Sequence, residues 1–254
     1  MEIVNLMDKE VFSIRNAILL HAMDRNGSHG GSGKCFATLH PVDSAGGARP
    51  QILAGRVLSS SELEMTLAGL NPAKRMAFIP ETVLASSGAG MVWWRRPGRA
   101  RVWFKTREGD ALGERTGVTP QPGLVFAVAN GGWYVWAVKG ETRPTQATIL
   151  CQAPMYNVYE TGSICAGNAA VPKSVTPDAI PAYEAAFWDS RFTHANVWTK
   201  GKLTSWRGGP SALWNSLLAG RHKKFPERAL VESGKTLGQV IEELASGTAK
   251  KGRA

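Results

Sequence analysis

The run Val125–Val128, the turn residues Asn130-Gly131-Gly132 and the run Trp133–Val138 constrain this chain more than any other stretch. Asn-Gly between two β-rich runs favours the positive-φ backbone of a tight hairpin, so these residues predict adjacent antiparallel strands. Just upstream, Met91–Trp94 and Arg101–Phe104 are β-rich runs that flank an Arg-Pro-Gly turn. Four or so antiparallel strands in order make a β-meander. Trp93, Trp94, Trp103, Trp133 and Trp136 fall inside it. Exposed Trp side chains can stack nucleic-acid bases, but burial in a core or a sheet–helix interface is their commoner fate, and that is the assignment here.

Around the meander the chain predicts α+β architecture. Residues 1 to 90 form an N-terminal extension with a strand over 11 to 22, a Gly/Ser loop over 26 to 33 and a strand from Cys35 to His40. Gly30–Gly33 lacks the Gly-Lys-Ser/Thr of a phosphate loop, so it reads as a hairpin loop. A capping box, Ser61 to Glu64, opens a helix with Leu63, Leu67 and Leu70 at helical spacing, and a strand follows over Met76–Pro80. Beyond the meander, Pro172, Pro177 and Pro181 mark a loop. Thr176 caps a helix that has Pro177 at its first position and Ile180, Tyr183, Ala186 and Phe187 on one face. A short helix over 210 to 219 ends at Gly220, and a second capping box, Thr236 to Gln239, opens a helix carrying Leu237, Val240, Ile241 and Leu244. Lys250–Ala254 reads as a frayed tail. The expected organisation is an extension over 1–90, a core over 91–200 and a basic helical extension over 201–254.

A chain of 254 residues can bury a full core, and 43% hydrophobic with 20% charged residues marks it as globular. Charged residues near Met1 leave no apolar signal segment, and no run reaches the roughly 18 apolar residues of a membrane span. Cys35, Cys151 and Cys165 are odd in number and irregularly spaced, which argues against disulfides and zinc and for a reducing cytoplasm. No cofactor or metal is expected. Net charge is +10, and from Lys200 onward eleven Lys or Arg face four Glu, an excess of seven. A second cluster comprises Arg95, Arg96, Arg99, Arg101, Lys105 and Arg107. Such charge fits a solvated face, an acidic protein partner or nucleic acid.

The chemistry sits in Asn157–Cys165. Gly162 supplies a turn residue tolerant of positive φ, so the segment folds back and brings the Asn amide towards the thiol. A thiolate attacks acyl carbons even when only a small fraction is ionised, and an Asn N–H steadies the oxyanion formed when a thioester is attacked. Acyl carriage on Cys165 suits this set better than hydrolysis. His194, 29 residues after Cys165, raises the alternative of a Cys/His hydrolase; Asn168 and Asn196 are further polar candidates.

Asn-Val-Tyr-Glu-Thr-Gly-Ser-Ile-Cys resembles the active-site signature of the ubiquitin-conjugating enzymes, His-Pro-Asn-Ile/Val-Tyr-x-x-Gly-x-Ile/Val-Cys, with the same Asn-to-Cys spacing. Trp133–Val138 is similar to that family's third strand, Arg143-Pro144 to its proline turn and Ala147–Leu150 to its fourth strand. The wider layout resembles protein B of the bacterial PRTRC cassette, a divergent group of the same kind. Met155 and Tyr156 stand where the larger family has His and Pro, and Ala166 where it has Leu. A docking helix directly before the sheet is missing from the pattern. The resemblance spans about residues 91 to 200 and implies a conjugating-enzyme-like (UBC-like) core. Cys165 would carry a ubiquitin-like modifier received from a ThiF-like activating enzyme that itself uses ATP, with a metallopeptidase to reverse the linkage. Asn157 would support the oxyanion, and Tyr159 and Gly162 would shape the turn. The alternative is a non-catalytic scaffold of the same fold that binds DNA or a partner protein.

Overall fold

The computed structural model describes residues 3–4, 11–12, 14–22, 35–43, 49–69, 78–167, 169–197 and 203–249. The architecture is α+β with mostly antiparallel sheets. It divides into two compact units, residues 1–77 and 78–254.

In the first unit, β1 (Ile3–Val4) pairs with β2 (Val11–Phe12) and β3 (Asn16–Ala22) with β4 (Cys35–Asp43). The expected single strand over 11 to 22 is thus two. β4 runs three residues past His40 and also takes β5 (Gln51–Ile52) and β6 (Arg56–Leu58) as partners. Helix α1 (Ser60–Gly69) begins one residue before the predicted box. Its capping box is Ser59 with Glu62: Glu62 N–H donates to Ser59 Oγ at 3.3 Å and Ser59 N–H to Glu62 Oε2 at 2.9 Å. The Ser-x-x-Glu pattern occurs twice in register, and the earlier copy prevails with Arg56 also bridging to Glu62 at 2.8 Å. The 26–33 loop, Leu70 and the 250–254 tail lie outside the described residues. The predicted strand at Met76–Pro80 is absent from its described part: Phe78 and Ile79 are exposed, and the chain pairs only from β7 (Val83–Ser86).

In the second unit, β8 (Gly90–Arg95), β9 (Gly98–Lys105), β10 (Glu114–Gln121), β11 (Gly123–Ala129), β12 (Gly132–Val138) and β13 (Ile149–Gln152) follow in order. The β11–β12 hairpin forms as predicted, turning on Asn130 (φ 51°) and Gly131 (φ 70°). The Arg-Pro-Gly turn does something else: it moves the chain from one sheet to another. β8 joins β7 and β11 in a six-stranded sheet of order β15-β13-β12-β11-β8-β7, where β15 is Glu232–Thr236, whereas β9 pairs with β10 and with the short parallel strand β14 (Arg191–Phe192). The burial pattern explains the split. Met91–Trp94 of β8 are all buried, which requires cover on both faces, but β9 buries only Ala100, Val102 and Phe104 and turns Arg99, Arg101 and Lys105 outward.

β11 is likewise buried along its whole length, because the six-stranded sheet is sandwiched. Its front face (Trp93, Phe126, Trp133, Val135) packs on the inner face of the small sheet, on α2 (Ile180–Trp188) and on α3 (Gly209–Leu218). Phe187 of α2 meets Phe126 edge-on at 5.2 Å, and truncating such a buried ring to Ala costs about 3–5 kcal/mol. The back face (Val92, Trp94, Val125, Trp136) is covered by α4 (Leu237–Ala245) through Leu237, Val240 and Leu244, with the Thr236–Gln239 capping box formed as expected. Four of the five meander tryptophans are therefore core; Trp103 is half-exposed on the small sheet. Thr176 precedes a 3-10 turn, Pro177–Ala179, and its hydroxyl bonds Ser174 without capping the helix. β7 and β15 are the two edges of the six-stranded sheet, so segments before residue 91 and after residue 200 complete it. No described helix is long and apolar enough to cross a membrane.

Candidate active site

After β13 the chain enters a buried stretch, Ala153 to Tyr156, in which Met155 and Tyr156 are 0% and 1% exposed. The two residues that depart from His-Pro are thus built into the core. Trp214 of α3 donates its indole N–H to Pro154 O at 2.8 Å. The Tyr156 hydroxyl lies 3.0 Å from both Asp110 Oδ2 and Ser211 Oγ, and Ser211 donates to Asp110 Oδ1 at 2.8 Å. Burial, with the Asp110 carboxylate nearby, pushes the Tyr156 phenol up to about 12. This closed set pins the start of the cysteine loop to the 107–113 loop and to α3. Sequence reading missed it: Asp110 lies 46 residues and Ser211 55 residues from Tyr156, and nothing local signals the pairing.

Asn157 follows with φ 62°, a left-handed conformation that Asn tolerates better than most residues. Its backbone N–H donates to His194 O at 2.9 Å. Its side chain spans the same segment: Nδ2 donates to Arg191 O at 2.7 Å, and Oδ1 accepts from Thr193 N–H at 3.1 Å and Thr193 Oγ1 at 2.9 Å. One amide N–H is therefore spent on the loop, and an oxyanion role for Asn157 rests on the second. Tyr159 also pairs with Asn196, so residues 157–159 and 194–196 run side by side.

The fold-back predicted around Gly162 is present. Gly162 N–H closes a turn onto Tyr159 O at 2.9 Å, Val158 pairs with Ile164, and Cys165 N–H donates to Asn157 O at 2.7 Å. Gly162 has φ 82°, and a Cβ there would run into the Trp136 ring, so glycine is required on both counts. The returning strand docks on β12: Val135 N–H donates to Gly162 O and Ile164 N–H to Trp133 O, each at 2.8 Å.

Cys165 emerges half-exposed, whereas Cys151 is buried with its thiol pushed up by desolvation and Cys35 is exposed in the first unit. The Tyr159 phenol is held protonated above its ordinary range, by burial first and by the neighbouring Cys165 side chain second. Cys165 opens into a cleft of about 910 Å³ walled by Asn157, Trp103, Arg191 and His194 and floored by small residues such as Ala166, Gly167 and Ala185. Arg191 lies over Trp103 at 4.5 Å. His194 shares the cleft, but its Nδ1 is held by Thr193 Oγ1 at 2.9 Å. The same hydroxyl reaches Asn157 Oδ1 at 2.9 Å, so the His194 ring is tied to the Asn157 anchor. Burial and the charge of Arg107 lower the His194 pKa, which favours the neutral ring. Asn168 lies outside the described residues. Among the described residues no group of three or more His, Cys, Asp or Glu forms a metal-ligand set.

The family model for prokaryotic E2 family D matches residues 60–233, well over half of the chain. The chain belongs to prokaryotic E2 family D. No curated protein and no solved structure matches it. Membership makes the protein ubiquitin-conjugating-like, and the matched span includes the six-stranded sheet from β7 to part of β15, the whole cysteine loop and α2 and α3. Within this family D member, the His-Pro of the larger group is replaced by a buried Met155-Tyr156 pair whose phenol is anchored from two other segments.

Proposed function

We propose that this protein carries a ubiquitin-like modifier as a thioester on Cys165 and passes it to an amine or a second thiol. The observation that supports this reading best is the placement of Cys165: partly exposed, in the lining of a cleft of about 910 Å³, at the end of a hairpin tied down through Asn157. In the charging step the Cys165 thiolate attacks the activated C-terminal glycyl carbonyl of the modifier. The new C–S bond forms as the bond to the activating enzyme's leaving group breaks, and the leaving group departs with the electron pair. In discharge an acceptor amine attacks the same carbonyl, the C–S bond breaks, and the sulfur leaves as thiolate while the amine gives up a proton. The Tyr159 phenol, which stays protonated beside Cys165, is the group that would donate to that leaving thiolate. The second N–H of Asn157 serves the oxyanion, an interaction worth roughly 3–4 kcal/mol where a single such donor has been removed from an enzyme. A ThiF-like activating enzyme and a ubiquitin-like modifier of a bacterial PRTRC cassette, in a reducing cytoplasm, are the partners and setting in this reading.

Incubation with such an activating enzyme, modifier and ATP, followed by a non-reducing gel, tests it. A thiol-sensitive adduct that survives Cys35→Ser and disappears in Cys165→Ser is expected. Absence of an adduct together with strongly salt-dependent DNA binding would establish the non-catalytic scaffold instead.

A further inference from the structure

The small sheet carries a feature that acyl transfer alone does not use. On the outward face, β14, β9 and β10 place Arg191, Trp103 and Thr116 in register, with Arg101 and Val118 one step along and Lys105 opposite Glu114 on the other side. A second cleft of about 530 Å³ opens on this face between Arg101, Arg115, Trp103 and Asp189. Trp103 and Asp189 also line the Cys165 cleft, so the two are continuous. Of the carboxylates here, Glu114 is paired with Lys105 at 3.3 Å, and the balance of Arg101, Arg115 and Arg191 over Asp189 is positive.

This charge creates a problem that a lysine acceptor must solve. A free Lys ammonium approaching the thioester across these guanidinium groups is repelled, although once in place the same field lowers its pKa and favours the reactive free amine. Carboxylates flanking the lysine remove the repulsion by pairing with the arginines. Trp103 already bears the Arg191 guanidinium on one ring face at 4.5 Å, which takes up the surface a nucleic-acid base would stack on. We propose that the outward face of β14-β9-β10 docks an acidic polypeptide segment of the acceptor and so selects lysines set among Asp and Glu. This rests on Cys165 being the acyl carrier, since it is continuity with that cleft that makes the docked segment an acceptor.

The test is fluorescence anisotropy of the full-length Cys165→Ser protein with a labelled Glu-Glu-Asp-Lys-Asp-Glu-Glu peptide, its Gln/Asn counterpart and a 20-nucleotide single strand. Binding of the acidic peptide, at least tenfold weaker in R101E/R115E and unchanged in K223E/K224E, is expected, with the neutral peptide failing to bind. Both arginines are exposed, and an unchanged melting temperature shows that the fold survives. No peptide binding, an equal loss in both double variants, or tighter binding of the oligonucleotide lost with R101E/R115E would overturn the proposal. This readout needs no thioester, so failure of the charging gel with peptide binding intact would sink the acyl-carrier reading and not the docking face.

Discussion

The backbone N–H of Cys165 donates to the carbonyl of Asn157 at 2.7 Å, so the thiol-bearing residue and the Asn that precedes it by eight residues are the two ends of one closed loop. The loop is held from outside by the Asn157 side chain on Arg191 and Thr193 and from inside by Tyr156 on Asp110 and Ser211. Displacing either anchor shifts the sulfur relative to its cleft.

Asn157→Ala strips three side-chain hydrogen bonds and places a Cβ residue at φ 62° with no side-chain compensation. A loss of about 2–4 kcal/mol in urea denaturation is expected. Asn157→Gly relieves the backbone part and recovers about 1 kcal/mol. If Cys165 carries the proposed thioester, both variants are expected to discharge it at least about tenfold more slowly in single-turnover assays, because both lack the amide.

Gly162→Ala forces a methyl group against the Trp136 ring and an alanine into φ 82°. The left-handed backbone and the overpacking together cost about 2–4 kcal/mol, measured by the shift in chemical-denaturation midpoint. The strand that returns to Cys165 then loosens from β12, and hydrogen exchange at Val135 and Ile164 rises.

Tyr156 titrates at about 12 in the folded protein against 10 for a free phenol. The raised value means that the folded state holds its proton when the unfolded chain has lost it, so the contribution is complete below pH 10 and is lost as pH rises towards 12. The linked free energy is about 2–3 kcal/mol. Wild type should lose its stability advantage over Tyr156→Phe across that window in pH-dependent denaturation.

His194 titrates below its ordinary 6.5 because burial, and then Arg107, disfavour the imidazolium. A depressed value means stability that is present above pH 6.5 and lost as pH falls through the folded midpoint. NMR titration of the imidazole should give a midpoint under 6.5 that rises in Arg107→Ala but stays depressed, since burial is the larger cause.

Much of the local structure was legible along the chain. Asn130-Gly131 dictated a hairpin because its backbone favours positive φ, Thr236 with Gln239 dictated a helix start, and Gly162 dictated the fold-back that returns the chain to Cys165. Each depends on neighbours a few residues apart, which sequence orders directly. Other decisions belong to the assembled fold. The Arg-Pro-Gly turn looks the same whether β9 pairs with β8 or departs to a second sheet; the choice is made by the need to cover the fully buried strands β8 and β11 from the front. Likewise Tyr156 in place of Pro reads as a mere departure until Asp110 and Ser211 arrive from segments 46 and 55 residues away to satisfy its hydroxyl. Residue order selected the cysteine loop because turns are local, whereas its anchoring and the basic face beside it arise only where packing and desolvation bring distant segments together.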